Sequence, residues 1–178
     1  MGIITAESYF PAGEYYTTRA NDISDLAAKL ASTGAVAQPS ATIFNLAMIG
    51  AGLLVAVGSF FLYRAYGRKP LSILLALFGV GLAGVGLFPA GNSLHALFAT
   101  LTFTSVGFAA IVSYKILPSP LRYIAVLLGV LALYHLALLS VFKPILGAGG
   151  AERWVAYPTL IWLIAFGGFL SASDSSKT

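Results

Sequence analysis

Five apolar runs constrain this chain more than any other feature. They are Thr42–Tyr63, Pro70–Phe88, Leu94–Tyr114, Pro120–Phe142 and Trp154–Ser171. A helix rises about 1.5 Å per residue, so each run covers about 27–34 Å, enough for a bilayer core of about 30 Å. A segment crossing lipid must satisfy its own backbone polar groups, which leaves the helix as the only open-chain solution. The runs therefore predict an all-α fold, a polytopic transmembrane helix bundle with five spans. Composition excludes the soluble alternative: of 178 residues, 58% are hydrophobic and 9% charged, whereas soluble domains carry about a quarter charged residues.

Charge sets the expected topology. The net charge is +4, but Lys and Arg are scattered and form no basic patch, so no nucleic-acid partner is expected. The short RAYGRK and KILPS connections are both basic. If they face the cytoplasm, that side holds Arg64, Arg68, Lys69, Lys115, Arg122 and Lys177, against Arg19, Lys29, Lys143 and Arg153 on the other. The positive-inside rule then places residues 1–40 outside, the bundle at 41–172, and residues 173–178 as a cytoplasmic tail of a cell-membrane protein. The first 20 residues are polar and aromatic and show no signal peptide.

Two segments carry finer signals. In NDISDLAAKLAS, Ile23, Leu26, Ala27 and Leu30 follow the spacing of an amphipathic helix. It is expected to lie on the outer surface or across the bundle mouth, with Asp22 and Asp25 placed as in a capping box. The second run, LFGVGLAGVGLF, sets Gly79 four residues before Ala83 and adds Gly81, Gly84 and Gly86. Small residues let membrane helices approach closely, so this helix is expected inside the bundle.

Four stretches occur in order: DISDLAAKL at 22–30, IFN at 43–45, GLFPAGNSLH at 86–95 and ERWVAYPTLIWLIAFGG at 152–168. In this arrangement the chain resembles the DUF998 family of uncharacterised multi-spanning membrane proteins. The resemblance implies a six-helix bundle and no particular reaction. It also implies a membrane helix before the ISDL segment, where only MGIITAESYFP stands here. Either Gly2–Thr5 is the end of that helix or this member has five spans.

Polar groups gather on the predicted outer side: Asp22, Asp25, Asn45, Asn92, His95, Glu152 and Arg153, with His135 deeper in the fourth run. They form a candidate outer polar pocket. Each also has a simpler reading. His95 and His135 are rings bonded to nearby backbone, Asp22 and Asp25 are caps, and Glu152 suits a helix N-terminus. Arg153 does not suit one and is expected to pair with a lipid phosphate or with a carboxylate, bridging to Asp22 or Asp25. Paired imidazoles can ligate haem iron and three protein ligands can hold catalytic zinc, but the two histidines need not face each other, no second pair exists, and no carboxylate shares a helix face with either. No cofactor or metal is expected, and without cysteine thiolate chemistry is excluded. No GxSxG, HExxH or phosphate-loop motif occurs.

The leading expectation is a non-enzymatic membrane protein that binds membrane lipid or a small solute in that pocket, or serves as a homo-oligomer or a subunit of a membrane complex. The alternatives are an outer-leaflet enzyme, hydrolase-like, using His95 and an aspartate as acid and base, and a small-solute transporter.

Overall fold

The computed structural model describes residues 1–175. Its helices are α1 (Gly2–Ser8), α2 (Ser40–Tyr66), α3 (Lys69–Leu87), α4 (His95–Val112), α5 (Leu121–Ala137), α6 (Leu139–Leu146) and α7 (Ala148–Ser175). Short 3₁₀ turns cover Ile23–Ala27 and Ser113–Lys115. The expected tail divides at Ser175: α7 runs that far, and residues 176–178 lie outside the described residues.

Among the described residues, four helical stretches are long and apolar enough to cross a membrane: Ser40–Tyr66, Lys69–Leu87, His95–Lys115 and Ala148–Ala172. The fourth expected span, Pro120–Phe142, needs a correction. Its helix stops at Ala137, and α6 leaves at 86° to α5. At 17 residues, α5 rises about 25 Å, and it counts toward a fifth span only when the bent pair is taken together. The turn lets the Phe142 ring stack on His135 at 4.6 Å. It also lays α6 at the bundle end with Val141 and Ile145 exposed beside Lys143, the pattern of an interfacial helix.

The helices pack in sequence order, α2 on α3, α3 on α4, α4 on α5 and α5 on α7. The α2–α3 seam is the tightest part. A Cβ on Gly52 would stand 2.5 Å from Gly79 O, and one on Gly79 would stand 2.6 Å from Gly52 O. Only glycine permits this approach, and close backbone packing replaces the hydrophobic drive that lipid removes. The glycines of α3 thus do what their spacing predicted: half of the α3 apolar window is buried, against 17% for α2.

Residues 1–39, the α3–α4 turn and α6 meet at one end of the bundle, called here the mouth. The expected amphipathic helix is shorter than its pattern. Ile23, Leu26 and Ala27 are buried, but they form one 3₁₀ turn, and Ala28 is extended. The chain then reverses: Lys29 bridges Val36, and Gly34 takes φ +69°. The STG turn, closed by Gly34 at positive φ, explains why the helical spacing to Leu30 is not used. Ser40 Oγ donates to Leu26 O at 2.9 Å and ties this segment to the start of α2.

Candidate functional site

Arg153 organises the mouth. It sits in the second turn of α7, is 6% exposed, and spends its donors on the N-terminal segment. Nη1 donates to Thr18 O and Asn21 O, each at 2.9 Å, and to Gly149 O at 3.1 Å. Nη2 donates to the Tyr16 hydroxyl at 2.8 Å and to Glu7 at 3.2 Å. Tyr16 in turn donates to Asp22 O at 3.2 Å, and burial pushes its phenol up to about 12. The expected bridge from Arg153 to Asp22 or Asp25 is therefore replaced by one to Glu7. The reason is local. Both aspartates lie at the 3₁₀ turn, where Asp25 Oδ2 accepts from the Asp22 N–H at 2.9 Å, whereas Glu7 projects from the end of α1 with its carboxylate free to meet the guanidinium.

Glu152 points elsewhere. Its carboxylate accepts a hydrogen bond from the Ile23 N–H, the first amide of the 3₁₀ turn, and it lines a cavity of about 320 Å³. The cavity lies between α2, α3, α4 and α7, beneath the 3₁₀ turn and the first residues of α1. α2 and α7 form facing walls that do not pack closely together. Glu152, Ala156, Thr159 and Leu163 supply the α7 wall, and their spacing of four, three and four makes one helix stripe. The remaining walls are mostly apolar, including Phe44, Val55, Phe78 and Leu82. At the mouth the polar groups are Glu152, His95 and Ser24. His95 places Nδ1 2.7 Å from Phe88 O, and Nε2 has no hydrogen-bond partner among the described residues.

The other predicted residues separate from this cavity. Asn92 is exposed and its Oδ1 accepts from the Leu94 N–H at 2.9 Å, so it shapes the α3–α4 turn. Asn45 lies on α2, and its buried Oδ1 has no hydrogen-bond partner among the described residues. His135 bonds Leu131 O through Nδ1 at 2.8 Å and stacks between Phe142 and Trp154, with Trp154 at 5.1 Å. It lines neither this cavity nor the groove described below. Asp22 and Asp25 stand at the rim. Burial raises the Asp22 carboxyl above its ordinary value, against the lowering pull of Lys143. Among the described residues, no three of His, Asp and Glu converge as metal ligands.

Reasoning from sequence missed Glu7 and Tyr16, which hold Arg153, and Thr102 and Thr159, which face the cavity. The six acidic residues of the chain made Glu7 a possible partner, but no spacing connects it to Arg153.

The fold and the site together define a multi-pass, all-helical membrane protein with an apolar cavity under a polar mouth. The chain belongs to the family described as "Protein of unknown function (DUF998)", whose model matches residues 4–168. No curated protein and no solved structure matches the chain.

Proposed function

We propose that this protein is a non-enzymatic binder of single-chain amphiphiles, with its mouth on the outer side of the membrane. The apolar chain lies in the cavity and the polar head sits against Glu152 and His95. One observation carries this reading: the cavity changes from apolar walls of Phe44, Phe78 and Leu82 to a mouth with a carboxylate and an unpartnered imidazole nitrogen. Ionisable groups facing a membrane-depth cavity are costly and mark functional positions. A volume near 320 Å³ falls at the small end of the ligand-pocket range of about 300–1,000 Å³, which suits one chain rather than a whole diacyl lipid. Two acceptors, the Glu152 carboxylate and His95 Nε2, favour a head that donates hydrogen bonds, such as an amine or a hydroxyl.

The geometry gives less support to an acid–base enzyme. His95 Nδ1 is committed to Phe88 O, and Asp25 is committed to the 3₁₀ turn.

The test compares dodecylamine, dodecanol and dodecanoate as additives to the protein in nanodiscs, read by thermal shift and native mass spectrometry. Dodecylamine and dodecanol should bind and stabilise the wild type, and Ala51→Phe, which fills the cavity from α2, should abolish the effect. Equal binding by the filled variant would refute the assignment to this cavity. Preference for dodecanoate would refute the assigned head chemistry.

A further inference from the structure

The opposite stripe of α7 carries a second recess. Arg153, Trp154, Tyr157 and Ile161 line a groove of about 590 Å³, with Leu128 and Leu131 of α5 as the facing wall. Its roof is Thr18, Arg19, Leu146 and Gly150. This groove lies across α7 from the amphiphile cavity and shares no residue with it.

We infer that this groove is a binding site for an anionic phospholipid, with the phosphate between Arg19 and Arg153 and an acyl chain along Leu128, Leu131 and Ile161. Three observations lead there. Arg153 is 6% exposed, the Tyr157 hydroxyl of the groove interacts with its guanidinium, and its Nε–H is buried with no hydrogen-bond partner among the described residues. A buried donor left unmade is costly and is satisfied by an incoming acceptor. Arg19 is exposed, has no ion-pair partner among the described residues, and lines the same groove. Glu7 already offsets the Arg153 charge, so Arg19 supplies the net attraction while Arg153 supplies a fixed donor. Finally, Trp154 and Ile161 are 49% and 56% exposed on a helix that spans lipid, so the groove opens to the bilayer. Trp and Tyr at the rim mark headgroup depth. Guanidinium groups bind phosphate oxygens through strong charge-assisted hydrogen bonds.

The roof is held in place by the chain itself. Gly150 N–H donates to Arg19 O at 3.3 Å, and a Cβ on Gly147 would stand 2.1 Å from that same oxygen. Arg19 is thereby fixed at the α6–α7 junction, above the lipid-facing wall, although it belongs to a loop far away in sequence.

The test is native mass spectrometry of the full chain released from nanodiscs made of equal parts phosphatidylglycerol and phosphatidylcholine. A parallel thermal-shift series uses inorganic phosphate alone. The wild type should retain one phosphatidylglycerol in preference to phosphatidylcholine. Arg19→Gln should lower that preference about fivefold, the factor expected for one basic residue at an anionic surface. Lys29→Gln, a control cation on the same side of the bundle, should leave it unchanged. Ile161→Trp, which fills the tail seat from an exposed position, should also release the lipid. Equal retention of the two lipids, or equal effects of Arg19→Gln and Lys29→Gln, would overturn the assignment. Stabilisation by inorganic phosphate matching that of the lipid would make the site a free-anion site and overturn it too.

Discussion

The Arg153 guanidinium meets the Glu7 carboxylate at 3.2 Å across 146 positions of sequence. This contact, with the Thr18 and Asn21 carbonyls and the Tyr16 hydroxyl that Arg153 also serves, fastens the N-terminal segment over the cavity. Arg153→Ala removes every one of these bonds, most of them to part-buried acceptors, at a cost of about 2–3 kcal/mol. Glu7→Gln keeps a hydrogen-bond acceptor and should cost about 1 kcal/mol. Limited proteolysis checks the order. Cleavage between residues 9 and 36 should accelerate strongly in Arg153→Ala and slightly in Glu7→Gln, and equal rates in all three proteins would contradict it.

Gly52 and Gly58 lie on the same helix and differ in one respect. A Cβ at Gly52 would strike Gly79 O at 2.5 Å and Ala83 N at 2.6 Å, whereas at Gly58 nothing lies within 4 Å. Backbone atoms cannot move aside as a flexible side chain can. Gly52→Ala should therefore destabilise the bundle by about 1–3 kcal/mol through overpacking. Gly58→Ala should leave thermal stability unchanged or raise it. Melting temperatures in one detergent decide the matter, and loss of stability in both variants would show that the α2–α3 seam is not the cause.

What was legible in the sequence follows from which constraints act locally. Lipid demands a run of apolar residues of fixed length, so α2, α3, α4 and α7 could be read directly. The small-residue face of α3 could be read because close packing demands Gly and Ala at helical spacing. The break at Leu138 could not: LALYHLALLSVF is apolar on both sides of it, and apolar residues serve equally in a span and on a membrane surface. The partner of Arg153 was hidden for another reason. A long-range ion pair leaves no periodicity, and Asp22 and Asp25 were nearer in character to the expected partner until the 3₁₀ turn claimed Asp25. The cavity was hidden too, since Ala156, Thr159 and Leu163 look like any other span residues until α2 and α7 are seen to stand apart.

Asp22 gives a pH prediction. Burial raises its folded-state carboxyl above the ordinary value, with Asp25 adding to the rise and Lys143, Arg153 and His95 opposing it. The folded state therefore holds this proton more tightly than the unfolded chain does. The protonated group's contribution to stability is intact below the unfolded value near pH 3.9 and is lost as pH rises through the raised folded value. Asp22→Asn keeps the shape and a capping oxygen without the charge. It should melt above the wild type at neutral pH, and the gap should close as pH falls toward about 4. A gap that widens on acidification would show that ionised Asp22 stabilises the fold.

Orientation is the remaining premise of the outward mouth, and the chain is well suited to testing it because it contains no cysteine. Ser93 lies in the exposed α3–α4 turn at the mouth, and Ser119 lies in the exposed loop before α5 at the other end. Near that other end stand Arg64, Arg68, Lys69, Lys115 and Arg122, the cluster that the positive-inside rule assigns to the cytoplasm. Ser93→Cys should react with a membrane-impermeant maleimide on intact cells. Ser119→Cys should react only after permeabilisation. The reverse pattern would turn the Glu152–His95 mouth toward the cytoplasm, and the amphiphile would then have to be drawn from the inner leaflet.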